Sequence, residues 1–201
     1  MAETRAVSNP LALAVLSYLS QRPMHPYELS RTLRDNGDGR SIKFNHGTLY
    51  MVVKQLAQAG LIHEQETSRE GQRPERTVYA LTDPGRQELH DWLHQLIEQP
   101  QHEYPAFVAG LSLLAALPPD EVTPLLRRRS QRLGEEIAEI ERLVESALAA
   151  GVPELFLIEE QFRVTLLRAE TSFVEDLVGR ITDPANGWIP AWAQHHGQHG
   201  P

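Results

Sequence analysis

At residue 61 the hydrophobic pattern of this 201-residue chain changes period, and that change limits the folds open to it. Before it, three stretches repeat their apolar residues at helical intervals. In "NPLALAVLSYLSQRP", Leu11, Val15, Leu16 and Leu19 share one stripe, and Pro10 suits a first turn. In "HPYELSRTLRDNGDG", Pro26 is placed to open a helix, Tyr27, Leu29 and Leu33 are candidates for its inner side, and Gly37 or Gly39 ends it. The third stretch, "NHGTLYMVVKQLAQAGLI", opens on Asn45, a good N-cap, and closes on Gly60, a good residue just past a helix end. After residue 60 the helical period is lost. "LIHEQET" and "RTVYALT" are short and carry β-branched and aromatic residues, so they read as strands. Between them "SREGQRPE" holds Gly71 and Pro74 and reads as a hairpin loop. Thr82 then caps a helix over "DPGRQELHDWLHQLIE".

Helix, helix, helix, strand, strand, helix is the plan of a winged helix-turn-helix. The third helix has an inner face of Leu49, Val52, Val53 and Leu56. Its outer face holds Gly47, Met51, Lys54 and Gln58, with Tyr50 on the flank. A merely solvated face would be richer in Glu and Lys, so this face suits a close approach by a partner.

The second half reads as wholly helical. "QPQHEYP" is a linker, "PAFVAGLSLLAAL" is short and apolar, and Pro118 and Pro119 break it. Two long periodic stretches follow. The first carries Val122, Leu126, Leu133, Ile137, Ile140, Val144 and Leu148. The second carries Leu155, Ile158, Phe162, Leu166, Ala169, Phe173 and Leu177. Each spans on the order of 40 Å as a helix. The short "AAGVP" between them makes the pair antiparallel. Two such helices alone cannot bury both stripes fully. The expected class is therefore mainly α: a winged helix-turn-helix over 1–98, an all-α dimerisation domain over 104–183, and a flexible tail over 184–201 without period.

Charge bears on the partner. The net charge of −8 by itself argues against nucleic acid. It is uneven, however: residues 1–100 carry 11 Lys and Arg against 12 Asp and Glu, and residues 101–201 carry 8 against 15. A nearly neutral first half can still present a basic face. The chain has no cysteine, which excludes disulfides, thiolate metal sites and a cysteine nucleophile and suits a reducing cytoplasm. Its apolar runs are too short to span a membrane, and "MAETRAVSNP" lacks the order of a signal peptide. A cytoplasmic protein without membrane contact is expected.

The stretches "NHGTLYMVVKQLAQAGLI" and "GQRPERTVYALTDPGRQEL" resemble the PadR family of bacterial transcriptional regulators. That family pairs a Gly-Ser/Thr-Leu-Tyr opening of the recognition helix with a Gly-Leu-Ile ending. Its wing ends in Tyr-x-Leu-Thr, and Gly-Arg follows in the next helix. "LALAVLSYLSQRPMHPYELSRTL" fits its first two helices, so the resemblance covers residues 10–95. The chain departs from it at Pro26, where the family usually has Gly, and at Met51, where it usually has Pro. The resemblance implies a homodimeric regulator, with repression the expected sign, whose C-terminal helices embrace the partner. It also implies an aromatic or hydrophobic small-molecule effector, for which Trp92, Phe107 and Phe162 are the candidate lining. The alternatives are an intramolecular bundle packed on the helix at 84–98, and a winged-helix module that binds protein and not DNA.

In the DNA-binding reading each candidate has a role. Gly47 lets the backbone approach. The first-turn amides, around Asn45, His46 and Thr48, are donors for a phosphate. Tyr50 offers a hydroxyl to phosphate or packs on sugar, and Lys54 offers a charge to phosphate or a contact to guanine. Met51 suits a thymine methyl. Lys43 sits just before the helix to hold the backbone, and Arg69, Arg73 and Arg76 of the wing reach phosphates or a narrow minor groove. No enzyme is expected: Gly-x-Ser-x-Gly, a P-loop, a dinucleotide fingerprint and a three-ligand metal motif are all missing. No cofactor is expected either. His90 and His94 stand four apart beside Asp91 but lack a third ligand, and His195, His196 and His199 fall in the tail.

Overall fold

The structure is a computed structural model that describes residues 7–65 and 77–199. The chain divides between His102 and Glu103 into two compact units.

In the first unit α1 (Pro10–Gln21) opens on Asn9, whose side chain accepts from the amide of Leu11 at 2.9 Å. The helices α2 (Pro26–Asp35) and α3 (His46–Gln58) follow, and Gly37 supports the turn after α2 with φ 76°. The apolar stripes converge: Leu11, Val15, Leu16, Leu29, Leu33, Leu49, Val52 and Leu56 are fully or nearly fully buried in one cluster. Tyr27 is not among them. It is 58% exposed, because Pro26, Leu29 and Leu33 define the buried stripe of α2 and Tyr27 lies a hundred degrees off it.

The wing is antiparallel. β1 (Ile62–Gln65) pairs with β2 (Val78–Leu81), with Ile62 opposite Leu81 and Gln65 opposite Val78. Met24, in the turn between α1 and α2, adds a bridge to Tyr79 through two backbone bonds of 3.0 Å. One hydroxyl then joins wing to helix. Thr82 accepts from the amide of Gly85 at 3.0 Å and donates to the carbonyls of Gly60 and Leu61, which starts α4 (Asp83–Glu98) against the end of α3. Gly60 takes φ 71°, the left-handed conformation that glycine adopts without cost.

The second unit holds α5 (Ala106–Ser112), the 31-residue α6 (Pro119–Ala149) and α7 (Ile158–Thr182). α6 and α7 run antiparallel. Arg129 and Ser130 of α6 bond Glu170 and Glu175 of α7, whereas Glu141, further along α6, pairs with Arg168, nearer the start of α7. Val122, Leu126, Val174, Leu177 and Ile181 form the core. The sequence stripe of α7 is not the one that faces this core. Of its members only Leu177 is buried, whereas Val164, Val174 and Ile181 do the packing. α7 is apolar on two sides, and a single-period reading selects the richer one. Residues 184–201 also hold a helix the pattern did not show, α8 (Ile189–His199), whose Trp192 packs on the core cluster. Among the described residues no helix is long and apolar enough to cross a membrane.

Candidate nucleic-acid interface

The first turn of α3 is built by a reciprocal cap. The Asn45 side chain accepts from the Thr48 amide, and the Thr48 hydroxyl accepts from the Asn45 amide, each at 2.9 Å. The Leu49 amide bonds the Asn45 carbonyl at 3.0 Å. Thr48 and Leu49 are therefore satisfied, and the two amides left at the positive end of the helix are those of His46 and Gly47. Both residues are exposed. No internal packing demands glycine at 47, since a Cβ there meets only the Asn45 Oδ1, at 3.4 Å. A methyl at that point would instead stand between the backbone and anything outside.

Along the same helix Tyr50, Met51 and Lys54 are exposed, and Leu49, Val52, Val53 and Leu56 are buried. The Tyr50 ring lies 4.6 Å from that of His46, tilted by 55°. Lys43 is exposed just ahead of the cap. Arg69, Arg73 and Arg76 lie outside the described residues.

A further group of residues holds the segment leading into α3, and the sequence pattern did not reveal it. Tyr18 on α1 donates its hydroxyl to Asp38 and accepts from the Asn36 amide nitrogen at 2.9 Å. Burial, and then Asp38, push the Tyr18 phenol up to about 12, so it stays a donor at any ordinary pH. Periodicity marks Tyr18 only as a helix residue, and no spacing rule links it to a turn 20 residues away.

The three candidate effector residues have different surroundings, each within its own unit. Trp92 is buried in the core of the first unit. Phe107 lies under the Arg129 guanidinium, 3.7 Å from ring centroid to carbon, in a groove of about 520 Å³ floored by Leu111, Leu114, Val122 and Leu126. Phe162 is exposed on α7 and does not line that groove. His90 and His94 stack at 4.1 Å, with Asp91 on the His90 ring at 3.3 Å, and no group of three metal-ligating side chains converges among the described residues.

Residues 15–91 match the family model of the transcriptional regulator PadR-like family. Those residues, the winged-helix half of the chain, are thus similar to the PadR-like family. It is 27% identical over 148 residues to the negative transcriptional regulator PadR of Bacillus subtilis strain 168, covering 73% of this chain and 79% of that one. The crystal structure of B. subtilis PadR with operator DNA matches at a TM-score of 0.60 and 22% identity, over 84% of this chain and 99% of that one. The same protein with p-coumaric acid matches at 0.66 and 19%, over 86% and 97%. At these identities the two structures establish the fold. In this fold α3 holds the place of the second helix of a helix-turn-helix, and β1 and β2 that of the wing.

Proposed function

We propose that this PadR-like regulator is a homodimeric repressor that binds a roughly palindromic DNA operator. It works in the cytoplasm, by occupancy alone and without turnover. The observation that carries the reading is the α3 first turn. Two unpaired amides, a glycine with open space outside it, and an exposed Tyr50, Met51 and Lys54 share one face of a helix whose other face is core. The amides and Tyr50 hold phosphate, Met51 meets a thymine methyl, and Lys54 meets phosphate or guanine. Lys43 and the wing residues Arg69, Arg73 and Arg76 add backbone charge. The relative named a negative regulator supports repression, and the PadR structure holding operator DNA supports the ligand.

An aromatic or hydrophobic effector releases the dimer from DNA by favouring a different spacing of the two recognition helices. The PadR structure with p-coumaric acid supports such a ligand. On this chain the groove beside Phe107 is where an aromatic body finds both an apolar floor and a guanidinium.

Lys54→Ala tests the DNA contact. The side chain is exposed, so the fold is unaffected. Operator affinity falls, and the slope of log affinity against log salt drops by about 1, the loss of one phosphate neutralised. Affinity and slope equal to the parent at several salt concentrations would remove Lys54 from the interface.

A further inference from the structure

Ten residues, Asn36 to Asn45, separate α2 from α3. The turn of a helix-turn-helix usually takes about three or four, so this longer segment needs fixings of its own to deliver α3 at one angle. Its second half is fixed by packing. Ile42 and Phe44 lie partly buried on the core of the first unit, and Lys43 between them is exposed. Its first half, from Asn36 to Ser41, has no apolar residue to do the same. There the side chains of Asn36 and Asp38 meet one hydroxyl. The Tyr18 ring packs on the core from α1, and its hydroxyl donates to the Asp38 carboxylate and accepts from the Asn36 amide nitrogen at 2.9 Å. Asp38 passes the restraint on. It opens a 3-10 turn (Asp38–Arg40), and its carbonyl accepts the amides of Ser41 at 3.0 Å and Ile42 at 2.8 Å. From Ile42 only Lys43, Phe44 and the cap residue Asn45 remain before α3 begins.

We infer that Tyr18 is a positioning residue for operator binding, whose hydroxyl acts through Asp38 to fix the path of the chain into Lys43 and the first turn of α3. The inference rests on the DNA reading above and adds to it a residue that itself touches no DNA. A helix loses affinity when binding must order a segment that the free protein leaves loose. This segment is loose by composition. Gly37 takes φ 76°, and a Cβ there would meet nothing within 4 Å, so hydrogen bonds and not packing restrain the path at that point. The Tyr18 hydroxyl ties three elements together at once: α1, on which it stands; Asn36, which ends α2; and Asp38, which starts the turn toward α3. A phenylalanine would fill the same space on the core and leave Asn36 and Asp38 without that tie.

Full-length variants are titrated against a duplex from upstream of the chain's own gene and against a scrambled duplex, at several salt concentrations. Tyr18→Phe lowers affinity for the first duplex about fivefold, the size of one lost hydrogen bond. The salt slope stays that of the parent, because no phosphate contact is lost, and binding to the scrambled duplex is unchanged, so selectivity falls. Asp38→Ala gives the same loss, and the double variant is no worse than either single one, as expected for two halves of one interaction. Asp38→Asn, whose amide oxygen still accepts the hydroxyl, stays within about twofold of the parent. Hydrogen exchange of the free chain gives a readout that needs no DNA: amides of 37–46 exchange faster in Tyr18→Phe, and those of α1 and β1 do not. Affinity and selectivity of Tyr18→Phe equal to the parent's, additive losses in the double variant, or unchanged exchange over 37–46 would each overturn the positioning role. An equal loss on both duplexes, with helical circular dichroism reduced, would mark a role in folding alone and would also overturn it. A parent chain that binds neither duplex, and selects no site from a random library, ends the operator reading itself.

Discussion

Leu49→Ala lowers stability by about 2–5 kcal/mol, the range for truncating a buried leucine that leaves a cavity. Leu49 is fully buried in the cluster made by α1, α2 and α3, and lies one residue before the exposed Tyr50. Its surroundings cannot collapse easily, because Leu16, Leu29, Leu33 and Leu56 are themselves fully buried on three different helices. The neighbouring control is Met51→Ala, which lies on the outer face and changes stability by no more than about 0.5 kcal/mol. Urea unfolding of the full chain, followed by the signal of the N-terminal unit, compares the two. Equal losses at both positions would show that the two faces of α3 have been assigned wrongly. The contrast matters for function, since it separates the side that holds α3 in place from the side proposed to meet DNA.

Gly85→Ala is expected to cost about 1–3 kcal/mol through overpacking. A Cβ at this position would stand 1.9 Å from the Leu61 carbonyl oxygen and 2.8 Å from a Leu81 methyl. The carbonyl belongs to the backbone entering the wing, and it already receives the Thr82 hydroxyl and amide. No side-chain rotation relieves the clash, so α4 must move away from the wing and strain those bonds. Thermal unfolding should show a melting point lower by roughly 4–8 °C for each kcal/mol lost in a unit of this size. The glycine of "DPGRQEL", which the sequence shows only as part of a family pattern, thus has a steric reason. A Gly85→Ala chain with an unchanged melting point would mean that α4 and the wing approach less closely than the structure has them.

The winged-helix half was legible because each of its elements announces itself locally. Asn45 and Thr82 are caps, Gly60 is a helix terminator with φ 71°, and the change of period at residue 61 marks the wing. The outer face of α3 was legible for the same reason: the inner face is strongly apolar, so the remaining residues stand out. Contacts between distant segments were not. The bridge from Met24 to the wing and the bonds among Tyr18, Asn36 and Asp38 join residues that no periodicity relates. The hydrophobicity of Tyr27 suggests an inward residue, yet its angle on α2 turns it out. On α7 the periodic stripe of the sequence is the richer apolar face, whereas the internal core uses the leaner one, since periodicity alone does not say which of two apolar faces meets α6. α8 escaped notice because a short helix anchored by one tryptophan has too few turns to show a period.

The most direct test of the central claim is a fluorescence-anisotropy titration of the full-length chain against a duplex from upstream of its own gene. It is run at several salt concentrations with a scrambled duplex beside it. DNA binding by paired α3 helices predicts tight, salt-sensitive binding, selective over the scrambled duplex, and saturating at two protomers per duplex. Binding no tighter than to the scrambled sequence, with no site recovered from a random-duplex selection, would contradict it and leave the outer face of α3 to a protein partner.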